Sequence, residues 1–397
     1  MSACAIVMRR VRSVSRSSMW AMAWALGGCL GSAAPACADV LPRLPALALK
    51  ADQVTVSGLS SGAYMAGQFG VAYSASLSGA AVLAGGPYGC SRGSVSTAML
   101  ACSCPAQKPF LLSLLQAFPG MGCTAFSPEV YNVFSERAVQ NNRGAIDDTA
   151  QLQRHRIYLL SGGQDHVVDR KLVSAAELLY RHLGVPAAQI HHEDIPGAGH
   201  AFPSLQATAA CGVTQPPFLN QCQVDTAGDL LKWLYPDLAS VTPATDDGAA
   251  FYQFSQRPYA GAGFTGLDTT GWVYVPAACK VAGAGCRLHV AFHGCEQGQS
   301  FRLEGQGAPY GLHFVKGAGY NRWAEAGRLV VLYPQVKPST RGNLLEPYQF
   351  NPKGCWDFWG YTEKYAAAHG TSPDFAKRSA PQMRAVKAMI DELLAAP

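Results

Sequence analysis

A serine flanked by glycines, directly after a short apolar run, is the feature that most constrains this chain. Residues 54–56 read as a buried strand, the pattern Gly58-x-Ser60-x-Gly62 follows, and residues 61–72 read as a helix. With 41 glycines in the chain, the pattern alone can arise by chance. A second predicted strand at residues 77–83 completes the order strand, serine turn, helix, strand, which is the context of a nucleophile elbow.

Two residues further along the chain are candidate partners for this serine. A strand predicted at residues 156–160 runs into Asp165, and a short strand at residues 189–195 runs into a glycine-containing loop with His200. A serine nucleophile needs a general base, and that base needs an acid that holds its tautomer. Because hydrolases with this elbow place the three residues in the order Ser, Asp, His, we predict Ser60, Asp165 and His200 as the catalytic set.

Other side chains compete for two of these roles. Asp169 lies one turn beyond the predicted acid and is an alternative to it. His191 and His192 lie close to the predicted base but within the predicted strand, which favours a structural role.

The positions in the sequence of the backbone N–H donors for a tetrahedral intermediate indicate the fold. The first is the N–H of Ser61, but no His-Gly loop precedes the elbow to supply the second. Such a loop ends instead at Cys295, after a strand predicted at 288–292. If this strand belongs to the same sheet as the elbow, the chain is a circularly permuted α/β-hydrolase with a mostly parallel central sheet flanked by helices. The Pro- and Gly-rich residues 236–270, which read as a possible linker, then lie inside one domain.

The first 38 residues have the order of a signal peptide. Four arginines precede an uncharged apolar run at residues 19–34, and Ala36-Cys37-Ala38 supplies a small-residue cleavage site. A retained membrane anchor is the alternative. We predict cleavage before Asp39, a secreted or periplasmic protein, a single catalytic domain at 39–397 and no membrane association after cleavage. Cleavage lowers the net charge from +5 to +1 and leaves no basic patch for nucleic acid.

Ten cysteines remain after residue 38, and an even number in an exported chain indicates disulfide bonds. Metal binding is the alternative explanation for these cysteines, but paired C-x-x-C motifs are missing from the sequence. Short loops suggest the pairs Cys211–Cys222 and Cys279–Cys286, and three pairings stay open for Cys90, Cys102, Cys104 and Cys123. Residues 88–130, which contain these four, read as an irregular insertion held by disulfides. We expect neither metal nor cofactor.

Five motifs in the sequence resemble a known family. They are "GLSSGAYMA", "SGGQDHVVD", "GAGHAFP", "VAFHGCEQG" and "NPKGCWDFWGY". Together they are similar to extracellular poly(3-hydroxybutyrate) depolymerases of the circularly permuted, single-domain type. The resemblance covers most of residues 50–395 and implies the catalytic roles of Ser60, Asp165 and His200.

The resemblance also implies an oxyanion hole formed by the N–H groups of Ser61 and Cys295, a disulfide Cys295–Cys355, and a place for Trp356 at the substrate cleft. Tyr64 is a weaker candidate for substrate contact, with helix packing as its alternative. The expected partner is a polyester or hydroxybutyrate oligomer, hydrolysed by an acyl-enzyme route. A secreted carboxylesterase acting on feruloyl or acetyl esters of polysaccharide is the alternative, and an inactive polymer-binding relative is a further one. The oligomeric state stays open.

Overall fold

The computed structural model describes residues 41–104, 126–245, 250–303, 307–364 and 374–397. The predicted signal peptide and Cys123 lie outside the described residues. Residues Leu41–Pro397 form one compact unit. Within the described part of the chain, no helix is long and apolar enough to cross a membrane.

The described residues contain thirteen strands, most of them short. In chain order they are β1 Val54–Leu59, β2 Gly79–Leu83, β3 Arg156–Gly162, β4 Ile190–Ile195, β5 Phe202–Pro203, β6 Ala209–Ala210, β7 Leu219–Gln221, β8 Phe251–Ser255, β9 Thr270–Tyr274, β10 Arg287–Phe292, β11 Leu329–Tyr333, β12 Ser339–Thr340 and β13 Phe350–Asn351.

Eight α-helices lie in the same described ranges. They are α1 Ser61–Ala72, α2 Val95–Leu100, α3 Pro128–Asn141, α4 Arg170–His182, α5 Thr226–Leu234, α6 His313–Gly317, α7 Tyr320–Gly327 and α8 Pro381–Leu394.

Eight strands form one twisted sheet in the order β4-β3-β2-β1-β10-β11-β9-β8. The strands from β4 to β11 run parallel, and β9 and β8 are antiparallel additions at one edge. Every residue of β1 is buried, because the apolar core lies on both faces of the sheet. Helices α1, α4 and α8 contribute to the core on one face, and α5 and α7 to the core on the other.

The chain is a circularly permuted α/β-hydrolase, as the sequence predicted. Strand β1, which precedes the serine turn, lies between β2 and β10, so the strands of the two halves of the chain meet at the centre of one sheet. The end of α8 lies beside the segment that leads into β1. The N–H of Leu47 donates to the carbonyl of Leu393, and that of Ala48 to the carbonyl of Ala395. In an unpermuted order, α8 would therefore continue into β1.

Two sequence-based expectations about the loops need revision. The region read as a possible linker, residues 236–270, contains β8, which forms the edge of the main sheet. The insertion at residues 88–130 is less irregular than expected, since it contains α2 and the start of α3; residues 105–125 lie outside the described part. A disulfide between Cys90 and Cys102 closes the loop that contains α2.

Candidate active site

Ser60 occupies a sharp turn between β1 and α1. Its backbone has a positive φ of 58° with a ψ of −121°, a conformation that non-glycine residues rarely adopt. The flanking glycines allow the turn to close. A Cβ at Gly58 would stand 2.2 Å from the carbonyl oxygen of Gly62. Strand, turn and helix therefore form the nucleophile elbow that the motif predicted, with the half-buried Ser60 at its tip.

Asp165 and His200 meet at the same end of the sheet. The Nδ1 atom of His200 lies 2.7 Å from Oδ2 of Asp165, in a pair whose side chains are 9% and 1% exposed. The other carboxylate oxygen of Asp165 accepts the N–H groups of Val167 and Val168, both at 2.8 Å. These contacts use both carboxylate oxygens as hydrogen-bond acceptors, so the carboxylate is fixed in the position that orients the imidazole.

The loop that carries His200 is held by a small disulfide-closed unit. Strands β5, β7 and β6 form a three-stranded parallel sheet, and Cys211 is bonded to Cys222 beside it. The N–H of His200 donates to Oγ1 of Thr214, and the N–H of Gly199 donates to the carbonyl of Cys211. These contacts fix the histidine through the backbone N–H groups of residues 199 and 200.

The loop after β10 lies beside the elbow. Strands β1 and β10 are parallel neighbours with Gly58 opposite Phe292, so the same register brings Ser60 level with Gly294. A Cβ at Gly294 would stand 3.4 Å from the Cβ of Ser60. The two segments, which are far apart in sequence, are thus in near contact at the candidate nucleophile.

His293 orients the peptide that follows it. Its Nε2 accepts the N–H of Val336 at 3.2 Å, so Nδ1 carries the proton and donates to the carbonyl of Gly294 at 2.7 Å. Burial lowers the pKa of His293 to about 4, which keeps the ring neutral. Since C=O and N–H of a trans peptide point in opposite directions, the N–H of Cys295 faces away from this anchor.

Two N–H groups stay available next to Ser60. In the described ranges, neither the N–H of Ser61 nor that of Cys295 donates to a protein acceptor. Cys295 is bonded to Cys355, and the N–H of Trp356 donates to Oγ of Ser61 at 3.2 Å. One dipeptide, residues 355–356, therefore contacts both residues that carry these N–H groups.

The two aromatic residues expected at the substrate surface are buried in this structure. Trp356 is wholly buried, with its ring 4.9 Å from that of Phe292 and 5.8 Å from that of His293. Tyr64 is 2% exposed, stacks on Phe358 and donates its hydroxyl to the carbonyl of Cys102. Both rings belong to the core in this structure, because α1 and the segment after Cys355 pack against each other. Neither ring is exposed to solvent in this structure, and their roles as substrate contacts stay predictions.

The competing candidates are engaged in other interactions. Asp169 caps α4, accepting the N–H of Lys171, and is exposed. His192 on β4 contacts Glu177 at 2.9 Å, and His191 contacts Glu193. Within the described residues, no group of three or more His, Cys, Asp or Glu side chains could hold a metal ion.

The disulfide Cys279–Cys286, which its short loop predicted, is present in the structure.

Gln297 is a residue that sequence reasoning did not assign. It is 1% exposed, and its amide contacts the backbone of both the loop after β10 and the segment before β7. The quoted motif "VAFHGCEQG" contains it, but its partners near residue 217 are about 80 positions away, and nothing in the motif indicates them.

Comparison with known proteins decides the family. The chain is 35% identical over 354 residues to a poly(3-hydroxybutyrate) depolymerase of Delftia acidovorans, covering 88% of this chain and 61% of that relative. It is 33% identical over 328 residues to a polyhydroxybutyrate depolymerase of Talaromyces funiculosus, covering 80% of this chain and 85% of the relative. The chain belongs to the poly(3-hydroxybutyrate) depolymerase family. No general protein-family model matches the sequence.

Solved structures of depolymerases agree with this assignment. A PHB depolymerase from Penicillium funiculosum superimposes with a TM-score of 0.70 at 28% identity, covering 89% of this chain and 98% of that one. A PHB depolymerase complexed with an R3HB trimer gives a TM-score of 0.69 at the same identity and coverage. This depolymerase-family chain spans 61% of the length of its Delftia relative.

Proposed function

We propose that the protein is a serine esterase that hydrolyses ester bonds of poly(3-hydroxybutyrate) or its oligomers. The observation that carries the proposal is the 2.7 Å contact between His200 and Asp165, at the end of the sheet where the Ser60 elbow meets the loop after β10. Family membership supplies the substrate class, and a structural relative is complexed with an R3HB trimer.

The proposed reaction runs through an acyl-enzyme. Ser60 Oγ attacks the ester carbonyl while Nε2 of His200 takes its proton, and Asp165 stabilises the imidazolium through Nδ1. The oxyanion accepts the N–H groups of Ser61 and Cys295. Collapse releases the alcohol end of the chain, which receives the proton from His200. Water, activated by the same histidine, then attacks the acyl group and frees the acid and Ser60.

We also propose that residues 1–38 are a cleaved signal peptide, that residues 39–397 are a single catalytic domain and that the protein is secreted or periplasmic. Four disulfides join described cysteines, and Cys104 is disulfide-bonded as well. Disulfides persist in oxidising compartments, which supports export.

The test compares three substrates for purified wild-type protein and Ser60→Ala. They are p-nitrophenyl butyrate, soluble hydroxybutyrate trimer and amorphous polymer, with release of 3-hydroxybutyrate measured for the last two. Wild-type turnover of all three, absent in Ser60→Ala, is the expected result. Hydrolysis of p-nitrophenyl butyrate without release of 3-hydroxybutyrate from trimer or polymer would assign the protein to the carboxylesterases of feruloyl or acetyl esters instead. Absence of any ester hydrolysis would indicate a polymer-binding protein.

A further inference from the structure

The main sheet does not by itself fix the distance between His200 and the loop after β10. His200 follows β4, which is four positions away from β10 in the sheet order. Neighbouring strands are about 4.8 Å apart, so the two strand ends are separated by roughly 19 Å. The loop with His200 therefore has to cross the end of the sheet, and a contact outside the sheet must hold it in place.

Gln297 makes one such contact. Its Oε1 accepts the N–H of Gly294 at 2.8 Å, within the loop that ends at Cys295. Its Nε2 donates to the carbonyls of Pro217 and Phe218, both at 3.2 Å. The hydroxyl of Tyr310 reaches the same Pro217 carbonyl at 2.8 Å.

A further hydrogen bond links Phe218 to the residues that follow His200. The carbonyl of Phe218 also accepts the N–H of Phe202, two residues after His200, at 2.9 Å. A single buried amide thus connects the N–H of Gly294 to Phe218, which pairs with the strand that begins two residues after His200. Only Asn and Gln offer one acceptor and two donors on a neutral group, and Asn is one methylene shorter.

We propose that Gln297 is a positioning residue that holds the two loops in register, so that the N–H of Cys295 and the imidazole of His200 act on one tetrahedral intermediate. The inference rests on the proposed function. The amide touches no reacting atom, because its three contacts are all with backbone groups. It acts by fixing geometry, and a misplacement of about 1 Å at a reacting centre costs on the order of 100-fold in rate.

The chain offers a closely matched control in Gln256. This glutamine is also fully buried, accepts one backbone N–H, that of Gln335 at 2.9 Å, and donates to two carbonyls, those of Asp268 and Gln335. None of these partners belongs to the loop with His200 or to residues 293–295. Gln256→Met and Gln297→Met therefore remove the same number of hydrogen bonds with a similar side-chain volume.

The experiment measures kcat and KM for p-nitrophenyl butyrate, the inactivation rate by a p-nitrophenyl phosphonate, and the melting temperature, all per mole of folded protein. For Gln297→Met we expect kcat and the phosphonate rate to fall together by about 100-fold, with KM within about 3-fold. Gln256→Met should lose a similar amount of melting temperature and keep kcat within about 3-fold.

Gln297→Asn keeps the amide and removes one methylene, so it decides the question if Gln297→Met does not fold. We expect a loss of kcat of at least about 10-fold, because the shorter side chain cannot reach both loops. Wild-type kcat in either folded Gln297 variant, or an equal loss in Gln256→Met, would overturn the positioning role while leaving the esterase function intact. A wild-type protein that does not hydrolyse the ester would overturn the proposed function and this inference together.

Discussion

Gly62 provides a sharp test of how closely the elbow and the loop after β10 must approach each other. A Cβ at this position would stand 2.4 Å from the carbonyl oxygen of Phe292 and 2.5 Å from that of His293. Both atoms are backbone and cannot rotate away. Ordinary contact begins near 3.4 Å, so Gly62→Ala has to push the start of α1 and the end of β10 apart by about 1 Å.

This displacement falls on the two segments that we propose for catalysis. Ser60 lies two residues before Gly62, and Cys295 lies two residues after His293. An oxyanion donor works at about 3 Å, and losing one costs about 10²–10³ in kcat. We therefore expect Gly62→Ala to lower kcat on p-nitrophenyl butyrate by about 100-fold, with KM changed by less than about 3-fold, because the oxyanion contacts develop in the transition state.

The control is Gly67→Ala on the same helix. The nearest atoms to its added Cβ are Cγ2 of Val82 at 3.6 Å and the hydroxyl of Tyr180 at 3.8 Å, so the methyl group has room. Alanine also favours a helix over glycine by up to about 1 kcal/mol. We expect wild-type kcat and an equal or higher melting temperature. If Gly62→Ala retains kcat within about 3-fold of wild type, catalysis does not depend on this close approach and the reasoning is refuted.

Three further predictions concern the triad and acid stability. Ser60→Ala should lower kcat by on the order of 10⁵–10⁶. Ser61→Ala keeps its N–H and loses only the contact from Trp356, so its kcat should fall by less than about 10-fold. Equal losses of kcat would contradict the division of roles. Asp165→Asn should lower kcat by about 10⁴. Asp169→Asn should leave kcat almost unchanged, since Asn caps a helix as well as Asp does. The reverse pattern would make Asp169 the acid. Burial lowers the pKa of three histidines from 6.5 to about 3–4, so the unfolded chain binds their protons first as the pH falls. These histidines are His155, His289 and His293. Their contribution to the free energy of unfolding should therefore be complete above pH 6.5, and the free energy should be lower by a few kcal/mol at pH 5, as measured by urea unfolding. An unchanged free energy of unfolding would contradict this.

The parts of the fold that local sequence determines were predicted closely. Helix α1 has the predicted bounds, and β10 begins one residue before the strand predicted at 288–292, because a helix after the serine turn and a continuous apolar run are both local signals. Strand β8 was missed for the opposite reason. It lies at the sheet edge, only Phe254 in it is buried, and Pro- and Gly-rich residues follow it, so its composition is that of a linker.

Side-chain roles that depend on distant packing were harder to predict. An aromatic next to Cys355 fits a cleft wall and a core equally well from sequence, and only the position of Phe292 makes Trp356 a core residue. The Asp165–His200 contact was predictable because chain order and strand ends carry it. The contacts of Gln297 were not predictable, because two of its three hydrogen-bond partners lie about 80 residues away.

The permuted strand order has a consequence for synthesis of the protein. Val54 pairs with Leu288, so β1 is made early and its edge stays unpaired until most of the chain has left the ribosome. Pairing over such a sequence distance folds slowly and leaves a strand edge open to other chains. We therefore expect nascent chains to depend on chaperones for longer than an unpermuted hydrolase does. Unfinished copies should also be inert towards esters, because the nucleophile is translated long before the loop that completes its site.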